Sequence, residues 1–213
     1  MENVGVKIKH FENIPALPKT EMILSRLGYR NGVTMLSTED MSLIDECIRL
    51  GGILCKPAGV YLIVPIVFKS DSAITLDNGV SFHSESLSKL LKDSRSVVLM
   101  AATVGKEVTE RVSNEVGKGN VAAGLILDSV ASQTADAAVA WIVQLLDKML
   151  PREGKKLTRH RYSPGFGDLP LSYQKDIFNA LQLEKLNMTL TEKYMLVPEK
   201  SVIAIAGIEE RVG

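Results

Sequence analysis

Aromatic residues make up only 5% of this chain of 213 residues. So few aromatic side chains argue against a stacking platform for single-stranded nucleic acid. The 25 lysines and arginines balance the 25 acidic residues, so no overall basic field is available to attract phosphates. We therefore expect no nucleic-acid partner.

Long apolar runs and targeting signals are also missing. No stretch approaches the roughly 18 consecutive apolar residues of a membrane span, and the N-terminal MENVGVKIKHFENIP has no apolar signal core. The two cysteines, Cys47 and Cys55, fit no zinc or Cys-x-x-Cys spacing, which favours a reducing compartment. We expect a cytoplasmic protein with no membrane partner.

Motifs for catalysis and metal binding are missing as well. His10, His83 and His160 lie far apart without partners at metal-ligand spacing, so no metal site is predicted. The chain has no Walker motif, Gly-x-Ser-x-Gly elbow or His-Glu-x-x-His. GKGNVA at 117–122 matches Gly-x-Gly-x-x-Ala, but a helix is predicted before it, which favours a turn between two helices. No catalytic residue is assigned, and whether the chain is an enzyme stays open.

What is present is the composition of an ordinary globular protein. Hydrophobic residues make up 46% of the chain and charged residues 23%. The length fits one domain covering residues 1–213. Within it we distinguish an N-terminal arm with helices, 1–58, from a part with the sheet, a long helix and a candidate ligand loop, 59–213.

Periodicity and turn residues predict the individual elements. Helices are expected over 22–27 with a stop at Gly28, 37–50 with a stop at Gly51-Gly52, 85–92, 105–116, 121–150 and 171–183. Strands are expected over 4–8, 60–68, 73–76, 80–82, 96–104, 188–196 and 202–208. Pro65 indicates an edge or bulged strand, and Asp77-Asn78-Gly79 indicates a type I′ hairpin turn.

The helix over 121–150, with Asn120 as its cap, is apolar nearly all round, so it is predicted to be largely buried. Its exceptions, Asp128, Ser132 and Asp136, fall on one face. A carboxylate on such a helix costs free energy unless it is paired or functional. An internal ion pair or surface stripe and a ligand-binding role both stay open for Asp128 and Asp136.

A turn-rich segment, RYSPGFGD at 161–168, is the strongest local feature. Its two glycines allow the backbone to approach a ligand closely, Pro164 stiffens the loop, and Arg161 supplies a planar fork for a carboxylate or phosphate. These residues suit a zwitterionic, nucleoside-like small molecule. A simple strand-to-helix turn is the alternative interpretation.

Arg161-x-x-x-Gly165-Phe166 resembles the Arg-x-x-x-Gly-Tyr signature for S-adenosylmethionine in the activation, or reactivation, domain of cobalamin-dependent methionine synthase. The downstream RYSPGFGDLPLSYQKDIFNAL and MTLTEKYMLVPEKSVIAIAGI are similar to the same domain, and the resemblance covers 121–208 well. The chain looks like a stand-alone form. The resemblance implies an α/β (α+β) fold: a single C-shaped domain with a twisted, largely antiparallel sheet, flanking helices and one long buried helix.

The resemblance also implies a function. Such a domain brings S-adenosylmethionine to an oxidised cobalamin, held by a corrinoid-binding methyltransferase, while a flavodoxin-type donor supplies an electron. Arg161 would pair with the methionine carboxylate, Ser163 would contribute backbone contacts, Gly165 would allow close approach and Phe166 would take the aromatic position. Of the two helix acids, Asp136 matches the expected position better and Asp128 is second.

The chain departs from the family pattern at three places. Phe166 replaces the usual tyrosine, Val202 and Ile203 stand where the family has adjacent tyrosines, and GDLP at 167–170 replaces Pro-Ala-Cys-Pro. These differences leave a second hypothesis: a docking module for a corrinoid protein that no longer binds S-adenosylmethionine. A third, an independent methyltransferase, lacks the glycine-rich loop after a first strand that Rossmann-like enzymes need.

Overall fold

The computed structural model describes residues 8–16 and 18–211. Its helices are α1 Thr20–Arg26, α2 Thr38–Leu54, α3 Glu85–Leu90, α4 Glu107–Gly117, α5 Val121–Met149 and α6 Tyr173–Leu181. Its strands are β1 Lys9–Phe11, β2 Ala58–Lys69, β3 Ala73–Leu76, β4 Ser81–His83, β5 Ser94–Thr103, β6 Lys155–Leu157, β7 Thr189–Leu190, β8 Leu196–Val197 and β9 Ser201–Glu210. Residues 4–7 of the predicted N-terminal strand lie outside the described residues.

One sheet contains seven of these strands. Its order is β4-β3-β2-β5-β9-β6, with β1 also paired to β2, and every pairing is antiparallel. β7 and β8 form a separate two-stranded sheet. The predicted mixed α/β fold with an antiparallel sheet and one long helix is therefore confirmed.

The central strand β5 is buried on both faces, because its side chains alternate between two apolar clusters. On the first face, Leu99 packs with Ile177 of α6. On the second face, Met100 packs with Ile142 of α5. The long helix and the helix after the candidate loop thus cover opposite faces of one sheet.

Of the predicted edge or bulged strand at Pro65, the bulge is confirmed and the edge position is wrong, and the turn predicted after β3 also needs correction. β2 lies inside the sheet rather than at its edge, and Pro65 is tolerated because the β2–β5 ladder ends at the Pro65–Ser96 pair. The predicted bulge is present, between Ile66 and Phe68. The β3–β4 turn is not type I′, since only Gly79 has a positive φ, of 86°. It is a longer loop in which Leu76 and Val80 are paired by a backbone hydrogen bond.

The helix ends follow the predicted signals only in part. The start of α2 predicted near Ser37 or Thr38 is confirmed, and Ser37 forms a capping box with Asp40 there. The stop at Gly51-Gly52 is wrong, because α2 continues to Leu54 and ends shortly before Pro57. Gly51 serves packing instead: a Cβ there would lie 2.6 Å from Cγ1 of Val130 on α5.

The chain around α5 and after α6 also differs from expectation. The side chain of Asn120 does not cap α5 but donates to Glu115 over 2.8 Å. The strand predicted over 188–196 is wrong: β7 and β8 are two short strands joined by a turn. β6 was not predicted, since two lysines in three residues give no apolar alternation. Within the described ranges, no helix combines the length and apolar character needed to cross a bilayer.

Candidate ligand-binding site

The candidate loop begins with a bulge at the edge of the sheet. Leu157 of β6 pairs with Ile208 of β9, and the next pair along the edge is Tyr162 with Ile205. Residues 158–161 therefore lie opposite only residues 206–207, which leaves two residues to bulge outward. Arg159, His160 and Arg161, which we call the cationic bulge, are all exposed.

After the bulge, the chain is fastened to β9. The backbones of Tyr162 and Ile205 exchange two hydrogen bonds, of 2.8 and 2.7 Å. The hydroxyl of Ser163 donates to the carbonyl of Ile203 over 2.7 Å. Pro164 and Leu169 are buried, and Leu169 belongs to the first apolar cluster. The side chain of Ser163 is thus used to hold the loop, so its predicted contacts with a ligand would have to come from its backbone.

The two loop glycines have a conformational reason to be glycine. Gly165 has a φ of 94° and Gly167 a φ of 53°, both in the left-handed region. The N–H of Gly165 donates to the carbonyl of Leu169 over 2.8 Å, which closes the turn. A Cβ at Gly165 would lie 3.0 Å from Leu171. Gly165 therefore allows the turn and a close approach within the protein.

Asp168 ties the loop to the start of α3. Its carboxylate accepts hydrogen bonds from the hydroxyl of Ser84 at 2.7 Å and from the backbone N–H groups of Glu85 and Ser86 at 2.6 and 3.2 Å. The hydrogen bond from Ser84, followed by those from α3, holds the pKa of Asp168 well below its usual range. The charged carboxylate is therefore part of the fold at neutral pH.

Sequence reasoning missed this role of Asp168. Its partners lie more than eighty positions earlier, and no local pattern connects the two segments. The only available signal was Ser84, whose hydroxyl caps α3 by accepting from the N–H of Leu87 at 3.0 Å. That signal predicts a helix start but not the distant acid that binds it.

Arg161 and Phe166 form the open side of the loop. Within the described part of the chain, the guanidinium of Arg161 makes no ion pair or side-chain hydrogen bond, and Phe166 is 68% exposed. Five cavities of about 340 to 690 Å³ lie elsewhere, and none of these is lined by either residue. The two residues are free to meet a ligand or partner at the surface rather than inside a preformed cavity.

Asp128, the second-choice acid of the long helix, forms an ion pair. Its carboxylate lies 2.6 Å from the ammonium of Lys200, which also lies 3.0 Å from Glu199. Partial burial by itself lowers the pKa of Lys200, but its bonds to Asp128 and Glu199 outweigh this and the pKa is raised. The structure thus gives Asp128 an internal partner, one of the two interpretations left open above.

Asp136, the preferred acid, is exposed on α5. Ala137 and Ala138, which follow it on α5, pack on the second face of the sheet, whereas Tyr162 and Leu169 pack on the first. Whether Asp136 contacts a ligand stays a prediction.

Residues 202 and 203 have structural roles of their own. Val202 is half-buried against the second apolar cluster, and Ile203 is buried in the first. Aliphatic side chains at these positions complete the two cores of the sheet. The positions at which the family carries adjacent tyrosines therefore present apolar packing groups here.

Nucleophilic and metal chemistry have little support elsewhere in the described structure. Burial raises the pKa of Cys55 to about 11, so its thiol stays protonated at neutral pH. Among residues 8–16 and 18–211, no group of three or more His, Cys, Asp or Glu side chains could hold a metal ion. The loop remains the candidate site.

Comparison with known proteins gives a structural match and no sequence match. No protein-family model and no curated protein matches the chain. A crystal structure of the MetH reactivation domain bound to AdoHcy superposes with a TM-score of 0.70 at 14% sequence identity, covering 95% of this chain and 78% of that one. The chain has the fold of the MetH reactivation domain. The similarity inferred from the Arg161 signature is thereby confirmed at the level of the fold.

Proposed function

We propose that this protein binds S-adenosylmethionine and serves as a reactivation subunit for a corrinoid-dependent methyltransferase, with methionine synthase as the first candidate. The observation that carries the proposal is the shared fold over 95% of the chain, in a neighbour whose structure contains AdoHcy. The Arg161–Phe166 signature lies in a loop that the fold holds rigidly on β9.

AdoHcy, or S-adenosylhomocysteine, is the product that remains when S-adenosylmethionine has given up its methyl group. A binding site for one is therefore close in shape and charge to a site for the other. Arg161 would pair with the carboxylate of the ligand through a charge-assisted, bidentate contact. Phe166 would stack on or pack against its apolar parts, and Asp136, which is exposed on α5, would accept a hydrogen bond from an ammonium or hydroxyl group.

The cobalamin belongs to the partner, which would supply the cobalt that accepts the methyl group, and an electron donor of the flavodoxin type would supply the electron. This chain would contribute position and orientation, which can lower a barrier by several kcal/mol without a general base. A chain that only positions the ligand needs no catalytic residue of its own, and none is assigned in the loop.

Calorimetry tests the proposal directly. S-adenosylmethionine and S-adenosylhomocysteine should both bind the wild-type chain, and Arg161→Ala should weaken them by about 1.5–3 kcal/mol, the worth of a hydrogen bond to a charged group. Arg30→Ala is the matched control, because Arg30 is also exposed and lies between α1 and α2. Equal affinities for wild type and Arg161→Ala would refute the site.

The docking-module hypothesis is supported by one observation, the apolar packing of Val202 and Ile203 in place of tyrosines. It predicts binding to a corrinoid protein but no heat of binding and no thermal shift with S-adenosylmethionine. The same calorimetric series therefore separates the two functions.

A further inference from the structure

The cationic bulge carries positive charge that the described fold does not neutralise. Residues 155–167 contain four lysines and arginines and no acidic residue. The lysines of β6 are compensated: Lys155 lies 2.8 Å from Glu153, and Lys156 lies 3.3 Å from Glu209. Arg159 and Arg161 have no such partner among the described residues.

This charge is not needed to build the sheet edge. The four residues 158–161 lie opposite only two residues of β9, 206 and 207. The β9 pairing then resumes between Tyr162 and Ile205. Thr158 makes the local bonds, exchanging hydrogen bonds of 2.9 and 3.0 Å with Gly207. Lysines that discourage edge-to-edge aggregation are already present in β6. Arg159, the arginine of the bulge that the proposed function does not assign to a ligand, is therefore available for a partner.

The position of the bulge limits what can cover it. Arg161 belongs both to the bulge and to the candidate loop, so a protein that reaches Arg161 comes within two residues of Arg159 and His160, which are also exposed. A partner with carboxylates at this position gains attraction across the interface, whereas a basic partner is repelled.

We infer that the cationic bulge is a docking surface for an acidic protein surface, and that this surface borders the cobalamin of the corrinoid partner. The identity of the partner rests on the proposed function, since methyl transfer requires the cobalamin to reach the loop. A protein is favoured over a nucleic acid because the chain has balanced charge and few aromatic residues.

Binding to a defined probe tests this inference. The probe is the cobalamin-loaded corrinoid-binding domain of a cobalamin-dependent methionine synthase, prepared without its own reactivation domain and measured against the full chain in 50 mM NaCl. Arg159→Glu should weaken binding about tenfold, mainly through slower association. Lys118→Glu is the control: it makes the same charge change in the exposed turn before α5, at the far end of that helix from β6.

The salt dependence gives a second readout. The difference between wild type and Arg159→Glu should shrink in 500 mM NaCl, because salt screens exposed charges. Equal binding of wild type and Arg159→Glu in 50 mM NaCl would overturn the inference, as would tighter binding to a single-stranded RNA than to the corrinoid domain. Wild type failing to bind the corrinoid domain would overturn it too. The proposed function fails separately, if the wild-type chain alone does not bind S-adenosylmethionine.

Discussion

The two halves of the segment over 159–168 are held in opposite ways. From Tyr162 to Asp168 the loop is tied to β9 and α3 by backbone hydrogen bonds, by the Ser163 hydroxyl and by the hydrogen bonds that the Asp168 carboxylate accepts. The cationic bulge has exposed side chains and no salt bridge within the described structure. A rigid frame that presents unpaired cations at its edge is the arrangement expected of a recognition site.

Adding a methyl group at Gly207, which is hydrogen-bonded to Thr158 just before the bulge, should have the largest effect on stability. A Cβ at Gly207 would lie 2.7 Å from Leu91 and 2.8 Å from Thr158, so Gly207→Ala should cost about 1–3 kcal/mol of unfolding free energy by overpacking. Gly52→Ala is the control, since a Cβ at that helical position meets nothing within 4 Å. Denaturant unfolding of both variants measures the contrast. Similar stability of the two would show that Gly207 is not tightly packed.

Breaking the anchor at Asp168 should have a smaller effect that depends on pH. The folded-state pKa is lowered, so the stabilisation is complete above the unfolded pKa of about 3.9 and is lost as the pH falls below it. Asp168→Asn should lower the unfolding midpoint at pH 7 and remove part of the loss seen in wild type between about pH 5 and pH 3. Exposed Asp147→Asn is the control. Parallel pH curves for wild type and Asp168→Asn would contradict the anchoring role.

The ion pair between Asp128 and Lys200 extends to α5 the contrast between side chains held by the fold and side chains left exposed. A double-mutant cycle with Asp128→Asn and Lys200→Met should give a coupling energy of about 1 kcal/mol, the upper end for a partly exposed pair. The affinity for S-adenosylmethionine should stay unchanged in Asp128→Asn. A loss of affinity without a change in stability would instead assign Asp128 to the ligand.

The smallest change in stability is expected on the open side of the loop. Phe166 is 68% exposed, so Phe166→Ala should change the unfolding free energy by less than about 0.5 kcal/mol. Affinity for S-adenosylmethionine should fall by about 0.5–1.5 kcal/mol, the worth of an aromatic contact. Phe166→Tyr, which introduces the tyrosine of the signature that the loop resembles, should bind at least as tightly as wild type. A clear loss of stability in Phe166→Ala would mean that the side chain is packed.

The sequence predicted elements well where one signal determined the structure locally. The start of α2 at Ser37, the long helix and the buried strands β5 and β9 all follow from a cap or from apolar patterning. The predictions failed where distant contacts decide. α2 passes through Gly51 because it packs on Val130, and β2 keeps Pro65 inside the sheet because a ladder ends there.

In the candidate site too, features with a local sequence signal could be predicted and features that depend on distant contacts could not. The motif at Arg161 and Gly165 was visible in the sequence, and the positive φ of Gly165 agrees with the expected turn. The anchor between Asp168 and Ser84 joins segments that only the fold brings together, so it could not be predicted from spacing. The pairing of Asp128 with Lys200 is of the same kind.

A crystal structure of the chain with S-adenosylhomocysteine tests the central claim most directly. We expect the ligand to lie against the loop at the sheet edge, with its carboxylate paired to the guanidinium of Arg161 and Tyr162 still bridged to Ile205. A ligand bound in one of the cavities away from the loop, with Arg161 left in solvent, would contradict the proposed site.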